Sequence, residues 1–233
     1  MTKTKVEIAP VQEGFSLIPK RKLLAMYAAM LECRRMAENS HKQIKRRMPS
    51  DSILGREAAA VGATFDLRSH DTVAPSLWPN ASFKAINPSV EIAPGLSLAT
   101  RSARENKDDQ KITLLFSSSK SGSHIGWLKA LTLAAEQNLP ILFVSMDRKA
   151  NSNSHINGET IPMKKNGHGI PVISVDGNDV VAVYRVASEA TTHARKGNGP
   201  TLIDCQFSPL DDPLENMKKY LIGKGLDPEM LTA

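Results

Sequence analysis

The stretch GIPVISVDGNDVVAVYRVASEATTHARKGNGPTLIDCQF, residues 169–207, decides the fold. Val172–Val175 is a short apolar run that predicts a strand, and Asp176–Asn178 predicts a turn that caps the next helix. Apolar side chains then recur at helical spacing over residues 180–191, and residues 201–207 predict a second strand. Two strands that are joined by a helix form a βαβ unit, so this stretch predicts a parallel sheet.

The same arrangement occurs earlier in the chain. Ile112–Phe116 and Ile141–Ser145 are continuous apolar runs, typical of strands buried on both faces, and residues 127–137 between them predict a helix. The remaining predicted elements are a helix that begins near Pro19 and includes Leu23 to Arg34, an Ala-rich helix over 55–65, a loop over 72–92, a helix over 96–103 and a helix from Asp212. The prediction is one α/β domain over residues 16–233, a mostly parallel sheet flanked by helices, after an extended arm over 1–15.

Composition narrows the class of protein. The chain has 233 residues, 41% hydrophobic and 23% charged, and no apolar run is long enough to span a bilayer. No apolar region follows Met1–Val6, so we expect no secretory signal. Cys33 and Cys205 lie in apolar segments and predict reduced core thiols of a cytoplasmic protein.

The formal charge is +6, and basic residues cluster once, over His41–Arg47. Without interleaved aromatics this cluster favours a solvated helix end over a nucleic-acid site.

Several blocks of the chain resemble the α subunits of the thiamine-diphosphate-dependent 2-oxo acid dehydrogenases, which act on pyruvate or branched-chain substrates. Residues 169–207 carry the most specific part of the resemblance, since VDGND is followed by a helix, by AR-x-G-x-GPTLI and by a strand. The other blocks are LIPKRKLLAMYAAMLECRRMAENS (17–40), GREAAAVGATFDLRSHDTVAPS (55–76), EQNLPILFV (136–144) and DDPLENMKKYLIGKGL (211–226). The blocks follow the family's order, so the resemblance implies a thiamine-diphosphate-binding-like fold.

The resemblance also implies where a cofactor would bind. Family members hold Mg²⁺ and the cofactor diphosphate with a Gly-Asp-Gly motif after one strand and with an Asn pair after the next. Here Ser118, Ser119 and Lys120 follow the first strand, so no carboxylate stands there. Arg148 falls at the metal-binding amide when counted from Leu139-Pro140, and a guanidinium repels Mg²⁺. Asp147 replaces that ligand only after a shift of register.

Two further parts of the family's site are absent from the sequence. The segment VAPSLWPNASFKAINPSVEI, residues 73–92, lacks the histidine and the Tyr-Arg pair that the family carries there. After the last strand, Ser208-Pro209-Leu210 leads directly to Asp211-Asp212-Pro213, where the family has a loop with arginine and histidine. Four separate parts of one site therefore differ together, and this combination indicates that the demand for the reaction has been relaxed or redirected.

Ligands of open parallel sheets bind at the carboxyl ends of the strands, so the loops that follow the strands there are called ligand-end loops. The first of them, residues 117–126, is rich in hydroxyls and glycine but lacks a Walker motif. A plain strand-to-helix connection is therefore favoured over a phosphate-binding loop. His124 and His155 lie on the two ligand-end loops, and a zinc site there needs at least one more ligand. His193, on a predicted helix, is interpreted as an ordinary surface or core residue.

The leading hypothesis is a dehydrogenase α-subunit-like protein that has lost cofactor binding and catalysis and is retained as a self-associating or partner-binding protein. We expect a homodimer, or a heteromer with a β-like subunit, with no catalytic residue and no cofactor. One alternative is an active decarboxylating dehydrogenase component that binds thiamine diphosphate and Mg²⁺ through Asp147 or with a partner β subunit. The other is an anion-binding module that uses Ser118, Ser119, Lys120 and Arg148.

Overall fold

The computed structural model describes residues 18–44, 53–74, 86–93, 95–105, 107, 109–117, 124–146, 155–156, 159–160 and 170–231. The predicted arm over 1–15 lies outside these residues, as do residues 45–47 of the basic cluster. The strands are β1 (Thr72–Ala74), β2 (Glu91–Ile92), β3 (Thr113–Ser117), β4 (Ile141–Ser145), β5 (His155–Ile156), β6 (Glu159–Thr160), β7 (Val172–Asp176) and β8 (Thr201–Gln206). The helices are α1 (Lys20–Ile44), α2 (Glu57–Thr64), α3 (Leu96–Glu105), α4 (His124–Glu136), α5 (Val180–Arg195), α6 (Pro213–Gly223) and a 3-10 turn (Pro228–Leu231).

Six of these strands form one sheet in the order β2-β1-β3-β4-β8-β7, and every neighbouring pair is parallel. Helix α4 connects β3 to β4, and α5 connects β7 to β8, which are the crossovers that parallel neighbours require. Strands β5 and β6 pair with each other, antiparallel and over two residues each. The predicted fold class, an α/β domain with a mostly parallel sheet flanked by helices, is confirmed.

Hydrophobic side chains bury both faces of the sheet. On one face, Leu114 and Phe116 of β3 pack with the inward sides of α1, α2, α5 and α6. On the other face, Leu115 of β3 and Phe143 of β4 pack with α3 and α4. The indole of Trp127 meets the ring of Phe143 edge-on, with centroids 5.2 Å apart and an interplanar angle of 83°. Alternate residues of each central strand therefore belong to different cores, which explains why these strands read as continuous apolar runs.

Helix α2 crosses α5 at very short range because its residues are small. All eight residues of α2 are buried. A Cβ added at Gly62 would lie 2.9 Å from the backbone oxygen of Val180 and 2.9 Å from the Cβ of Val183. Only glycine at position 62 allows the two helices to approach this closely.

The structure corrects two local predictions. Residues 72–92 were predicted as loop, yet Thr72–Ala74 and Glu91–Ile92 are strands, stabilised by pairing with each other and, for β1, with β3. The residue that caps α5 is Asp179, whose carboxylate accepts hydrogen bonds from the amides of Val181 and Ala182. The predicted cap, Asp176–Asn178, forms the turn before it. Within the described part of the chain, no helix combines the length and apolarity that crossing a membrane requires.

Candidate functional site

The carboxyl ends of the central strands form one polar row along an edge of the sheet. Ser117 of β3 lies beside Ser145 of β4, Ser145 lies beside Asp204 of β8, and Asp204 lies beside Ser174 of β7. Residues paired in register in a parallel sheet share a face, so the side chains of Ser145, Asp204 and Ser174 line the face that α3 and α4 cover further back. Ligands of open parallel sheets bind at this edge, which is therefore the candidate site.

Exposure of the polar row rises from the centre of the sheet to β7. Ser145 is buried, Asp204 is half-buried, and Ser174 and Asp176 are exposed. The amide of Gln206 donates a 2.5 Å hydrogen bond to Asp204 Oδ2. Reasoning from sequence missed this row, although the alternation of polar residues within two apolar strands was the signal for it.

The predicted site residues continue directly from this edge but lie outside the described residues. Ser118, Ser119 and Lys120 follow Ser117, and Asp147 and Arg148 follow Met146. Both loops begin at the same edge, because β3 and β4 are parallel and end in register at Ser117 and Ser145. Met146, the first residue after β4, is fully buried in the core, and its side chain carries no oxygen that could bind a metal ion.

A short connection follows β8 at the same edge, and Asn178 fixes it. The side-chain nitrogen of Asn178 donates to the backbone oxygen of Asp211 at 2.9 Å, and its side-chain oxygen accepts from the amide of Ser208 at 3.1 Å. A Cβ at Gly177 would lie 2.7 Å from the ring of Phe207, so the turn before α5 packs directly on this connection. The space between the end of β8 and α6 is thus closed by a six-residue link.

Comparison with known proteins identifies the family. The model of the family described as "Dehydrogenase E1 component" matches residues 79–208, which is more than half of the chain. The chain belongs to this family. The resemblance predicted from the sequence blocks is confirmed.

Among the E1 relatives are α subunits of several enzymes. The α-3 subunit of the chloroplastic pyruvate dehydrogenase E1 component of Arabidopsis thaliana is 31% identical over 175 residues, which cover 63% of this chain and 41% of that protein. The α subunit of acetoin:2,6-dichlorophenolindophenol oxidoreductase of Bacillus subtilis is 27% identical over 246 residues, covering 83% of this chain and 72% of that protein. The chain spans less than half the length of the Arabidopsis relative.

The structure of the chain is also similar in part to a solved structure, that of 2-oxoglutarate:ferredoxin oxidoreductase from Magnetococcus marinus. It is 14% identical, with a TM-score of 0.48, and the match covers 70% of this chain and 32% of that chain.

The remaining residues predicted for chemistry in this E1 family member are three histidines. His124 begins α4 and His155 begins β5, and the side chains of both lie outside the described part of the structure. His193 is exposed on α5, in agreement with its interpretation as a surface residue. Among the residues that the structure describes, no three His, Cys, Asp or Glu side chains are grouped so that they could hold a metal ion.

The opposite, amino edge of the sheet carries a feature that sequence reasoning did not find. Asp71, directly before β1, and Arg195, at the end of α5, form a buried ion pair in which both guanidinium ends contact the carboxylate. Beside this pair lies a pocket of about 450 Å³, whose apolar lining includes Ala63, Leu67 and Ala187. No sequence signal could have joined residues 71 and 195, since they are brought together only by the sheet.

Proposed function

We propose that this E1 family member is a dehydrogenase α-subunit-like protein that has lost cofactor binding and catalysis, and that it is retained as a self-associating or partner-binding protein. The observation that supports the proposal is the in-register ending of β3 and β4 at Ser117 and Ser145, because the two loops that follow begin side by side there. Their sequences can then be judged as one set of potential ligands.

This set does not fit thiamine diphosphate with Mg²⁺. Mg²⁺ prefers carboxylate, amide and phosphate oxygens in a near-octahedral arrangement. Residues 118–123, Ser-Ser-Lys-Ser-Gly-Ser, contain no carboxylate or side-chain amide. After β4, the only nearby acid, Asp147, stands beside Arg148 and Lys149. Arg148 and Lys149 in the second loop and Lys120 in the first add positive charge to this set, and positive charge disfavours a divalent cation.

The short connection after β8 supports the same proposal. Asn178 and the backbone at Ser208 and Asp211 close the six-residue link between β8 and α6. The resemblance implies an arginine- and histidine-bearing loop at this point. The link holds neither residue type, since residues 207–212 are Phe-Ser-Pro-Leu-Asp-Asp.

Calorimetric titration with thiamine diphosphate, with and without Mg²⁺, tests the loss of cofactor binding. The expected result is no Mg²⁺-dependent heat from the folded protein. The double variant Lys120→Asp/Arg148→Asn, which places a carboxylate and an amide on the two loops, serves as the matched comparison. Micromolar, Mg²⁺-dependent binding by the natural chain would overturn the proposal. It would favour an active dehydrogenase component in which Asp147 or a partner β subunit completes the site.

The partner-binding half of the proposal is supported by apolar side chains left at the surface. Leu210 in the link after β8 is 94% exposed, and Leu98 and Ile222 are also exposed. Relatives of the chain are named as α subunits, which by name belong to multi-subunit proteins. We therefore propose a homodimer or a heteromer with a β-like subunit. Light scattering after gel filtration at micromolar concentration, alone and with a candidate β subunit, tests it. A monomer in both experiments contradicts it.

A further inference from the structure

The pocket at the amino edge of the sheet has rigid walls. On one side, Asp71 accepts hydrogen bonds from the amide of Ile112 at 3.0 Å and from the amide of Arg68 at 2.6 Å, in addition to its ion pair with Arg195. Arg195 Nη1 also donates to the backbone oxygen of Gln110 at 2.7 Å. Asp71 and Arg195 are therefore fully engaged with each other and with the backbone, and this wall is fixed before any ligand arrives.

A second network fixes the opposite wall. Lys22 Nζ donates to Asp66 Oδ2 at 2.5 Å and to the hydroxyl of Tyr184 at 2.7 Å, and that hydroxyl donates to Asp66 Oδ2 at 2.6 Å. These three residues come from α1, from the turn after α2 and from α5. The ring of Tyr184 is thus held in place at the side of the pocket, with its polar end already satisfied.

Two cations of the pocket lining are left without such partners. Among the described residues, the side chains of Arg68 and Lys196 form no ion pair, whereas Asp66 is paired with Lys22 and Asp71 with Arg195. Both Arg68 and Lys196 are exposed at the mouth, and the hydroxyl-bearing Ser188 and Thr191 line the same pocket. The lining therefore combines an excess of positive charge with hydroxyls and an apolar floor.

We propose that this pocket binds a small organic phosphate, with the phosphate group on Arg68 and Lys196 and the organic part on the floor of Ala63, Leu67 and Ala187. Guanidinium groups bind phosphate oxygens through paired hydrogen bonds, and an ammonium adds a compact charge. The volume of about 450 Å³ falls within the range of small-ligand pockets. Walls that are already ordered lower the cost of binding. The pocket lies at the opposite edge of the sheet from the loops proposed to have lost cofactor binding. The proposed phosphate binding does not depend on that loss.

The experiment is calorimetric titration of the full chain with adenosine monophosphate, adenosine and inorganic phosphate at low and moderate ionic strength. We expect the monophosphate to bind more tightly than inorganic phosphate, because the floor contributes, and adenosine to bind at least about tenfold more weakly, because it lacks the charge. Affinity for the monophosphate falls with added salt because the cations at the mouth are exposed.

The double variant Arg68→Gln/Lys196→Gln is expected to weaken binding of adenosine monophosphate about tenfold or more. The control, Lys129→Gln/Lys219→Gln, removes the same formal charge from exposed residues of α4 and α6 outside the pocket lining and should leave the affinity unchanged. All four side chains are exposed, so both variants should have the same unfolding midpoint as the natural chain. Absence of binding by the natural chain overturns the proposal, and so does an equal loss in both variants, since that result means attraction by overall charge.

Discussion

Arg34 of α1 and Glu57 of α2 form a bidentate ion pair, and the carboxylate of Glu57 is entirely buried. Arg34 Nε lies 2.9 Å from Glu57 Oε1, and Nη2 lies 3.1 Å from Oε2. Arg34 Nη1 reaches Asp212, the residue before α6, at 2.6 Å. One guanidinium therefore joins three helices, and the amide of Gly55 adds a further hydrogen bond to Glu57.

Replacing Arg34 with methionine should destabilise the protein by about 3 kcal/mol, because the buried carboxylate of Glu57 would lose its partner. Urea unfolding followed by circular dichroism measures this. Arg35→Met is the matched control, since Arg35 is on the same helix and its pair with Glu32 is exposed. The control should leave the unfolding midpoint unchanged. Equal effects of the two changes would contradict the role of the buried pair.

Gly62→Ala should cost about 1–3 kcal/mol of stability, because its new methyl group would enter the contact between α2 and α5. Gly223→Ala at the end of α6 is the comparison, since a Cβ there meets nothing within 4 Å. We expect the second change to be neutral or slightly stabilising. Thermal unfolding of the two variants under the same conditions distinguishes them.

Both thiols should be unreactive in the folded protein. Cys33 and Cys205 are free and fully buried. Burial raises the pKa of Cys33 to about 12 and also raises the pKa of Cys205, so neither forms the reactive thiolate near neutral pH. A colorimetric thiol reagent should therefore detect no fast-reacting group at pH 8 and two groups in denaturant. A fast reaction without denaturant would contradict the buried positions.

Asp212 should contribute stability that is lost in acid. Its hydrogen bond with Arg34, together with those from the amides of Leu214 and Glu215, holds the pKa of Asp212 below its ordinary value, although burial opposes this. Because the folded pKa is lower than the unfolded one, the contribution is complete above the unfolded value and disappears as the pH falls through the folded value. Asp212→Ala should cost about 1 kcal/mol at pH 7, mainly from the lost cap.

The measurement is urea unfolding of the natural chain and of Asp212→Ala between pH 7 and pH 2. The difference between them should shrink as the pH falls below the ordinary range of aspartate. Asp179→Ala removes the corresponding cap of α5 and tests how much of the effect at residue 212 comes from capping alone. A difference that persists unchanged at pH 2 would show that the charge of Asp212 is not involved.

The central strands and the helices between them could be predicted because their patterns are local. Ile141–Ser145 was predicted with the bounds that the structure gives, since all five residues are buried. Strands β1 and β2 could not be, because three and two residues are too short to show a period and their pairing partners lie elsewhere in the chain. The end of β4 at Ser145 was predicted, and the end of β3 was predicted one residue early, at Phe116 instead of Ser117. The placement of the two ends side by side required the sheet.

The contacts at the amino edge were beyond prediction for a different reason. Asp71 and Arg195 are ordinary charged residues in sequence, and Lys22, Asp66 and Tyr184 lie on three separate elements. Nothing local distinguishes a charge that will be paired in the fold from one that will remain at the surface. Arg68 and Lys196 can be distinguished as cations outside these ion pairs only after the ion pairs of the fold are known.

Strands β3 and β4 have five residues each, so the two edges of the sheet are about 16 Å apart. The apolar layers between them belong to neither edge, and they determine whether the chain folds. A substitution at one edge can therefore be neutral for the other, and natural selection can act on each separately. A sheet of this kind can keep its fold after a site at one edge has changed, because the core that determines folding also supports a site at the opposite edge.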